Sequence, residues 1–346
     1  MHRGAKIVRD EATREGHHIF TGELRRLAHR SADARISVLV GELAGPLRVT
    51  VGGRDGVGRS TVAAALSREG LTVTAGADAD IAVVVVAEAV KPEDLALLAA
   101  PRPALVVLNK ADLAGFGAGG PIAVADRRAA ELQLRTGAPV VPMVGLLAVA
   151  SLDTELVDAL RVLSAEPGDL STTDGFLSAE HGLSRGMRER LLDTLDLFGI
   201  AHAVLALGQG TPAAALPATL RRLSQVDRVM ARLTALGAEV RYQRSQAALA
   251  SLRAMAAAGA PAVEEFLAGD EVVLASMAAA VDVLRAAGLT VHDADGDADA
   301  TDADGHLRRA LHWHRYSRGP VNGLHRRCGL DICRGSLRLA RRAGPP

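Results

Sequence analysis

The chain has 346 residues, and its 40 basic and 40 acidic side chains give a formal net charge of zero. A hydrophobic content of 49% and a charged content of 23% are typical of globular proteins and exclude wholesale disorder. The length predicts two or three structural units, and two cysteines exclude a disulfide-stapled secreted scaffold. Zero net charge excludes a uniformly basic nucleic-acid-binding protein only if the two signs of charge are evenly mixed along the chain.

No targeting or membrane-spanning segment is predicted. The residues after Met1 to Gly4 do not form an apolar segment, as a secretory signal would require. The longest apolar run, Ile81 to Ala87, is far shorter than the roughly 20 residues of a membrane helix. We therefore expect a cytoplasmic protein, with a peripheral membrane location as the alternative that its basic C-terminal residues suggest.

The first 45 residues are predicted to form a helical extension. Apolar residues recur at helical spacing from Gly22 to Leu43, with an interruption between Ser31 and Asp33. Pro46 ends this pattern.

Residues 46–210 are predicted to form an α/β domain. Strands are expected at 47–51, 71–74, 81–87, 105–108, 139–144 and 201–207, and helices at 60–68, 92–99, 127–136, 152–163 and 185–197. This alternation predicts a mostly parallel sheet with helices on both faces. The β-branched run from Ile81 to Ala87 is typical of a strand buried on both faces.

The remaining chain is predicted to form a helical module over 211–290 and then an acidic linker and an arginine-rich tail over 291–346. Helices are expected at 216–236, 242–258 and 261–287. Six aspartates lie between Asp293 and Asp304, and ten arginines against the single acid Asp331 lie between His306 and Pro346. The net charge of zero is therefore partly a cancellation between neighbouring segments.

A glycine-rich turn between the first predicted strand and the following helix fits the spacing of a phosphate-binding loop. The sequence Gly53-Arg-Asp-Gly-Val-Gly58-Arg59-Ser60 has arginine where that motif has lysine. Its backbone N–H groups and the helix N-terminus would face phosphate oxygens, Arg59 would contact the terminal phosphates, and the Ser60 hydroxyl would bind Mg²⁺. The candidate phosphate-binding residues are Gly53, Asp55, Gly56, Val57, Gly58, Arg59, Ser60 and Thr61. The alternative is an ordinary glycine-rich turn of an α/β unit.

A second motif, Asn109-Lys110-Ala-Asp112, follows directly on the predicted strand at 105–108. The Asp112 carboxylate can accept hydrogen bonds from the ring N–H and the exocyclic amine of guanine, a pair that adenine lacks. Asn109 would connect this loop to the phosphate loop, and the stem of Lys110 would pack along the base. The alternatives are a polar loop at a strand end, or an ATP-binding phosphate-loop protein, which the aspartate disfavours.

These motifs resemble the Asn-Lys-x-Asp signature and phosphate loop of the translation-factor-related class of GTPases. Gly58-Arg-Ser-Thr-Val-Ala-Ala-Ala-Leu66 is similar to Gly-Lys-Ser-Thr-Leu-x-Asn-Ala-Leu of bacterial dynamin-like and Era-like GTPases. The resemblance spans about residues 47–165. It implies a P-loop NTPase-like fold that binds GTP or GDP with Mg²⁺, and it assigns Val144, Gly145 and Leu146 to the last base-contacting loop.

The region between the two motifs is shorter than in a complete GTPase of this class. Only 47 residues separate Thr61 from Asn109, and no Asp-x-x-Gly loop or switch threonine is recognisable there. A residue that orients the attacking water is not evident. The sequence therefore predicts a reduced guanine-nucleotide-binding domain that acts as a slow GTPase or a nucleotide-gated scaffold. The alternative is a catalytically inactive pseudo-GTPase that binds a partner.

The arginine-rich segment 306–346 is the candidate partner-binding region. Its arginines, with leucines interleaved, predict an amphipathic element that binds an anionic membrane surface or a protein, with nucleic acid as the less favoured partner. The alternative is a cap docked on acidic residues of the same chain.

His325, Cys328 and Cys333 have only partial zinc-ligand spacing.

Overall fold

A computed structural model describes residues 15–76, 78–115, 117–291 and 303–344. Residues 1–14 and most of the predicted acidic linker lie outside these ranges. The chain divides into two compact units, Leu47–Leu233 and the combination of Met1–Pro46 with Thr234–Pro346. This division differs from the predicted segments, because the N-terminal extension groups with the C-terminal helices and the α/β unit extends beyond residue 210.

The N-terminal extension forms two helices, as predicted. Helix α1 spans Glu15–Ser31 and α2 spans Ala34–Ala44. The break falls where Ala32 adopts a φ of 50°, and the Asp33 side chain caps α2 by accepting a hydrogen bond from the Arg35 N–H at 2.9 Å.

The α/β unit is built on a sheet of five parallel strands in the order β2-β1-β3-β4-β5. The strands are β1 Arg48–Gly52, β2 Thr72–Val73, β3 Ile81–Val86, β4 Ala104–Leu108 and β5 Val140–Pro142. All five correspond to predicted strands. Every residue of β3 is buried, in agreement with its uninterrupted β-branched sequence.

The helices of this unit mostly follow the predicted alternation. They are α3 Arg59–Arg68, α4 Pro92–Leu98, α5 Gly120–Thr136, α6 Gly145–Val149, α7 Thr154–Ala165, α8 Thr173–Ser178, α9 Arg185–Gly208 and α10 Leu216–Ser224. The connection from β1 to β2 moves toward one edge of the sheet, whereas the connections from β3 to β4 and from β4 to β5 move toward the other edge. Because crossovers between parallel strands are right-handed, α3 lies on one face of the sheet and α4 and α5 lie on the other. Short 3₁₀ turns occur at Ala111–Leu113 and Ala213–Ala215.

The predicted strand at 201–207 is wrong, since these residues lie within α9. A short run of alanine, valine and leucine fits a buried strand and a buried helix equally well. Helix α9 is interrupted at Asp196, whose φ of 55° and ψ of 173° are not helical. By length and composition α9 could cross a membrane, but core helices pass the same test, and Leu195 and Ile200 contribute to the core of the α/β unit.

The second unit is helical in the residues described. Helix α11, Val226–Ala257, contributes to both units and is followed by α12 Pro261–Ala268, α13 Asp270–Ala286, α14 Ala303–Ser317 and α15 Gly323–Ala343. Two predicted boundaries are wrong. The boundary predicted between the helices at 216–236 and 242–258 lies instead at Gln225, which adopts a φ of 61°. The single helix predicted over 261–287 is divided into two at Gly269.

The predicted basic tail is a pair of packed helices. Trp313 of α14 and Cys328 and Ile332 of α15 share a buried cluster with residues of α11 and α13. At Gly335 of α15 the backbone approaches α13 so closely that a Cβ atom would lie 2.6 Å from the Cβ of Met277. This close approach fixes the distance between the two helices.

We predict that Gly335→Ala destabilises the helical unit by about 1–3 kcal/mol, because a methyl group there overpacks the contact with Met277. The measurement is the shift of the denaturant-unfolding transition of the full chain. Gly323→Ala is the matched control in the same helix, since nothing lies within 4 Å of its added Cβ, and it should be neutral or stabilising. Equal effects of the two substitutions would contradict the predicted packing constraint.

Candidate functional site

The predicted phosphate loop connects β1 to α3 through three glycines with left-handed φ. The angles are 143° at Gly53, 79° at Gly56 and 87° at Gly58, a conformation that residues with a Cβ rarely adopt. A Cβ on Gly53 would also lie 2.4 Å from the carbonyl oxygen of Val85. The glycines are therefore needed for the path of the loop, which runs close against β3.

The loop lies at a position where open parallel sheets bind ligands. The chain leaves β1 for β2 on one side and then continues to β3 on the other, so the strand order reverses at β1. Ligands of doubly wound sheets bind beyond the carboxyl ends of the strands at this switch point. Asn109, after β4, and Val144, after β5, follow the carboxyl ends of their strands at the same edge of the sheet.

The side chain of Asn109 joins the two predicted motifs. It is 3% exposed, and its Nδ2 donates a hydrogen bond to the Val57 carbonyl of the phosphate loop at 2.9 Å. Its Oδ1 accepts from the N–H of Gly145 at 2.9 Å. A Cβ on Gly58 would lie 2.3 Å from Nδ2, and one on Gly145 would lie 2.8 Å from Oδ1. The predicted connection between the two loops is thus present, and both glycines are required for its closeness.

Arg54 anchors the phosphate loop at its other end. Its Nε donates to Asp94 Oδ2 at 3.2 Å and its Nη2 donates to the Ala89 carbonyl at 3.1 Å. Asp94 is 0% exposed and also accepts from the Lys91 N–H at 2.9 Å. No sequence signal pointed to Arg54 or Asp94, because residues 40 positions apart give no local indication of a contact.

An open cleft of about 510 Å³ lies in front of the loop and the start of α3. Of the predicted site residues it is lined by Gly56, Gly58, Arg59, Ser60 and Lys110, together with Val51 and Ala63. Side chains from both predicted motifs therefore border the same space.

One positive charge at this cleft is already paired with an acidic side chain of the same loop. Arg59 Nη2 forms an ion pair with Asp55 Oδ1 at 2.5 Å, and both side chains are exposed. A phosphate group in the cleft would have to compete with Asp55 for this guanidinium.

The second motif continues from Asn109 into a turn. Lys110 adopts a φ of 56° and begins the 3₁₀ turn that contains Asp112. The Ala111 N–H donates to the Met143 carbonyl at 3.1 Å, which holds this turn against the loop after β5. In that loop Val144 and Gly145 are buried and Leu146 is half-buried.

Asp112 is half-buried, and its pKa is raised above the usual range. Burial is the main cause, and the negative charge of Asp196 adds to it, while Lys110 opposes it. Asp196 is the non-helical residue of α9, three residues before Gly199. A Cβ on Gly199 would lie 2.6 Å from Leu147 of α6, so this part of α9 packs on the helix that follows the candidate base-contacting loop. Asp196 was not predicted from the sequence, because an aspartate in an apolar segment gives no indication of which residues lie beside it.

The donor set for Mg²⁺ at this site is small. Ser60 is exposed at the start of α3 and lines the cleft. Phosphate-loop NTPases also use a carboxylate for the ion, but neither Asp78 in the β2–β3 connection nor Glu88 after β3 lines the cleft. The nearby Asp80 accepts from the N–H of Arg48 at 2.8 Å, which places it at the amino end of β1, away from the loop. The residues present therefore fit Mg²⁺ through Ser60 and the phosphates of a nucleotide.

The partial zinc spacing near the C-terminus does not assemble a metal site in the described part of the chain. His325 Nδ1 and the Tyr316 hydroxyl are hydrogen-bonded at 2.7 Å. Cys328 is fully buried, which raises the pKa of its thiol to about 12. Within residues 15–76, 78–115, 117–291 and 303–344, no three His, Cys, Asp or Glu side chains are placed to hold a metal ion.

A scan against known protein families and searches of curated proteins and of solved structures found no match.

We predict that Asn109→Ala lowers the free energy of unfolding of the α/β unit by about 2–5 kcal/mol. The substitution leaves the buried Val57 carbonyl and Gly145 N–H without partners, and each unsatisfied buried group costs about 1–3 kcal/mol. Denaturant unfolding of the full chain measures the change. Lys110→Gln is the control, since the neighbouring Lys110 is exposed, and a similar loss in that variant would contradict the bridging role of Asn109.

Proposed function

We propose that this protein binds a guanine nucleotide, GTP or GDP with Mg²⁺, in the cleft between the phosphate loop and the turn at Lys110. The observation that carries the proposal is the side chain of Asn109, the first residue of the second motif, which is hydrogen-bonded at 2.9 Å to Val57 of the phosphate loop and at 2.9 Å to Gly145 of the loop after β5. The two motifs are about 50 residues apart in sequence, and they are the parts that recognise the two ends of a nucleotide.

At the phosphate end, the backbone of residues 53–58 and the N-terminus of α3 would face the phosphate oxygens. Helix N-termini and consecutive backbone N–H groups stabilise anions. Arg59 would exchange Asp55 for a terminal phosphate, because its planar guanidinium binds phosphate oxygens in pairs. Ser60 would contact Mg²⁺ held by the phosphates.

At the base end, the Asp112 carboxylate would accept two hydrogen bonds from guanine. Adenine offers no such pair of donors at this edge, so it would leave a half-buried acceptor unsatisfied. Lys110 lines the cleft, where its stem would pack along the base, with Val144, Gly145 and Leu146 behind it.

Hydrolysis is expected to be slow at best. Fast phosphate-loop GTPases need a carboxylate for Mg²⁺ and a group that orients the attacking water. Among the described residues, Asp80 is at the opposite edge of the sheet, and Asp78 in the β2–β3 connection and Glu88 after β3 are exposed but do not line the cleft. We therefore favour a slow GTPase or a nucleotide-gated scaffold.

The Asp55–Arg59 ion pair supports a second candidate function. In this pair Asp55 neutralises Arg59, the cation that stands in place of the usual lysine. A domain that no longer binds nucleotide could tolerate this neutralisation. In that case the chain is a pseudo-GTPase that acts through a partner.

Equilibrium titration with fluorescent GTP, GDP and ATP, with and without Mg²⁺, separates these possibilities. We expect GTP and GDP to bind and ATP to bind more weakly. Equal binding of ATP would contradict guanine recognition, and an absence of binding by all three would leave the pseudo-GTPase function.

We predict that Asp112→Asn weakens GDP binding by roughly 10-fold or more and improves binding of xanthosine diphosphate. The amide replaces one acceptor with a donor, which matches the carbonyl of xanthine and mismatches the amine of guanine, and such a mismatch costs more than about 1.4 kcal/mol. The measurement is competition of the two nucleotides against fluorescent GDP. Asp126→Asn is the control, because Asp126 lies on α5 in an ion pair with Arg228 and does not line the cleft, and it should change neither affinity.

The affinity for GDP should also fall as the pH is lowered through the raised pKa of Asp112. Guanine needs the ionised carboxylate, and the raised pKa means that protonation begins at a higher pH than for an ordinary aspartate. Asp196→Asn removes one cause of the shift, so this variant should retain affinity to a lower pH. Identical pH profiles for the variant and the wild-type protein would contradict an influence of the Asp196 charge on the Asp112 carboxyl group.

A further inference from the structure

The exposed side of α14 carries positive charge and leucines together. Residues that face away from the buried cluster recur at helical spacing and are Leu307, Arg308, Leu311, His312, His314, Arg315 and, just beyond the helix, Arg318. We call these residues the basic face. Asp304, the acid on this side among the described residues, lies in the first turn of α14, at the other end from Arg318.

The arginines of the C-terminal helices fall into two groups. Arg338, Arg341 and Arg342 of α15 form ion pairs with Asp270 at the start of α13. These arginines therefore connect the end of α15 to α13, and we call them the internal clamp. By contrast, Arg308, Arg315 and Arg318 form no ion pair or side-chain hydrogen bond with the described residues. The same holds for Arg326 and Arg327 at the start of α15, across the short turn from Arg318. Within the part of the chain that the structure describes, their charge is not neutralised by an acidic side chain.

The leucines indicate which class of anion fits. Leu307 is 40% exposed and Leu311 is 56% exposed, and both lie beside the free arginines on the helix surface. An interfacial helix inserts such apolar side chains among the acyl chains while its cations contact anionic headgroups. With 15 residues, α14 is about 22 Å long, enough to lie along a membrane surface.

The aromatic residues of this region do not favour nucleic acid. Trp313 is 4% exposed and packs edge-on against Tyr316, with ring centroids 5.1 Å apart. The Tyr316 hydroxyl is hydrogen-bonded to His325. Single-stranded nucleic acids bind to exposed aromatic rings on which bases stack, whereas Trp313 is buried and Tyr316 is half-buried.

We propose that the basic face of α14, with Arg326 and Arg327 beside it, docks on the surface of a membrane that contains anionic phospholipid. Leu307 and Leu311 enter the interface and the arginines contact phosphate groups. This proposal does not depend on nucleotide binding.

The test is co-sedimentation of the full chain, without nucleotide, with vesicles of phosphatidylcholine alone and of phosphatidylcholine mixed with phosphatidylserine. We expect binding only to the mixed vesicles and weaker binding as salt is raised. The triple variant Arg308→Gln, Arg315→Gln, Arg318→Gln should lose about 100-fold in affinity, since each arginine near an anionic surface contributes about a factor of five. The control triple variant Arg135→Gln, Arg222→Gln, Arg232→Gln removes the same charge from exposed positions elsewhere and should bind as the wild-type protein does.

The leucines distinguish the possible occupants of the face. Leu307→Ser with Leu311→Ser keeps every charge, and we expect it to weaken vesicle binding several-fold while binding of a single-stranded RNA oligonucleotide is unchanged. Tighter binding of the RNA than of the vesicles, with no effect of the leucine variant on either, would overturn the proposal in favour of nucleic acid. If the wild-type chain ignores anionic vesicles and binds them only after Asp293, Asp295, Asp297, Asp299 and Asp302 are changed to asparagine, the acidic segment of the same chain occupies the face and the proposal is wrong.

Discussion

The candidate site depends on one buried amide. Asn109 is bonded through its backbone to β3, where its N–H donates to the Val86 carbonyl at 2.7 Å, and through its side chain to the loops after β1 and β5. Because an amide offers a donor and an acceptor in a fixed geometry, one residue satisfies a carbonyl in one loop and an N–H in the other. Glycine at positions 58 and 145 follows from the same constraint, since any Cβ there would collide with this side chain.

The charges around the cleft indicate an arrangement suited to binding more than to chemistry. Arg54 is committed to the buried Asp94, and Arg59 is paired with Asp55. In the first pair the Asp94 carboxylate is buried and the Arg54 side chain is 35% exposed, and this pair positions the loop. The second is exposed, so solvent screening makes it weak and its acid can be replaced by a phosphate. Of the described hydroxyl side chains, that of Ser60 at the start of α3 lines the cleft, and no carboxylate does, which accords with the proposal of slow or absent hydrolysis.

Arginine has three physical roles in this chain, and the neighbourhood of each residue decides among them. Arg54 reaches a carboxylate that is 0% exposed and acts as an anchor. The arginines at the end of α15 surround Asp270, and they hold the pKa of its carboxyl below the usual range, chiefly through the hydrogen bond from Arg342. The arginines on the basic face have no acidic partner among the described residues and remain solvated. A basic segment that is uniform in sequence is therefore divided in the fold between internal clamp and free surface.

The sequence by itself determined the elements whose signal is local. Uninterrupted β-branched residues specify β3, proline starts α4, and glycine spacing specifies the phosphate loop, because these patterns constrain the backbone residue by residue. The sequence could not separate helix from strand at 201–207, where apolar residues fit both, and it gave no indication of the left-handed residue Gln225 that ends α10. Only the tertiary structure decided that Asn109 bridges two loops, that Arg54 meets Asp94, and that Asp196 lies near Asp112. These contacts join residues 36 to 84 positions apart, and the sheet topology that brings them together is set by packing of the whole unit.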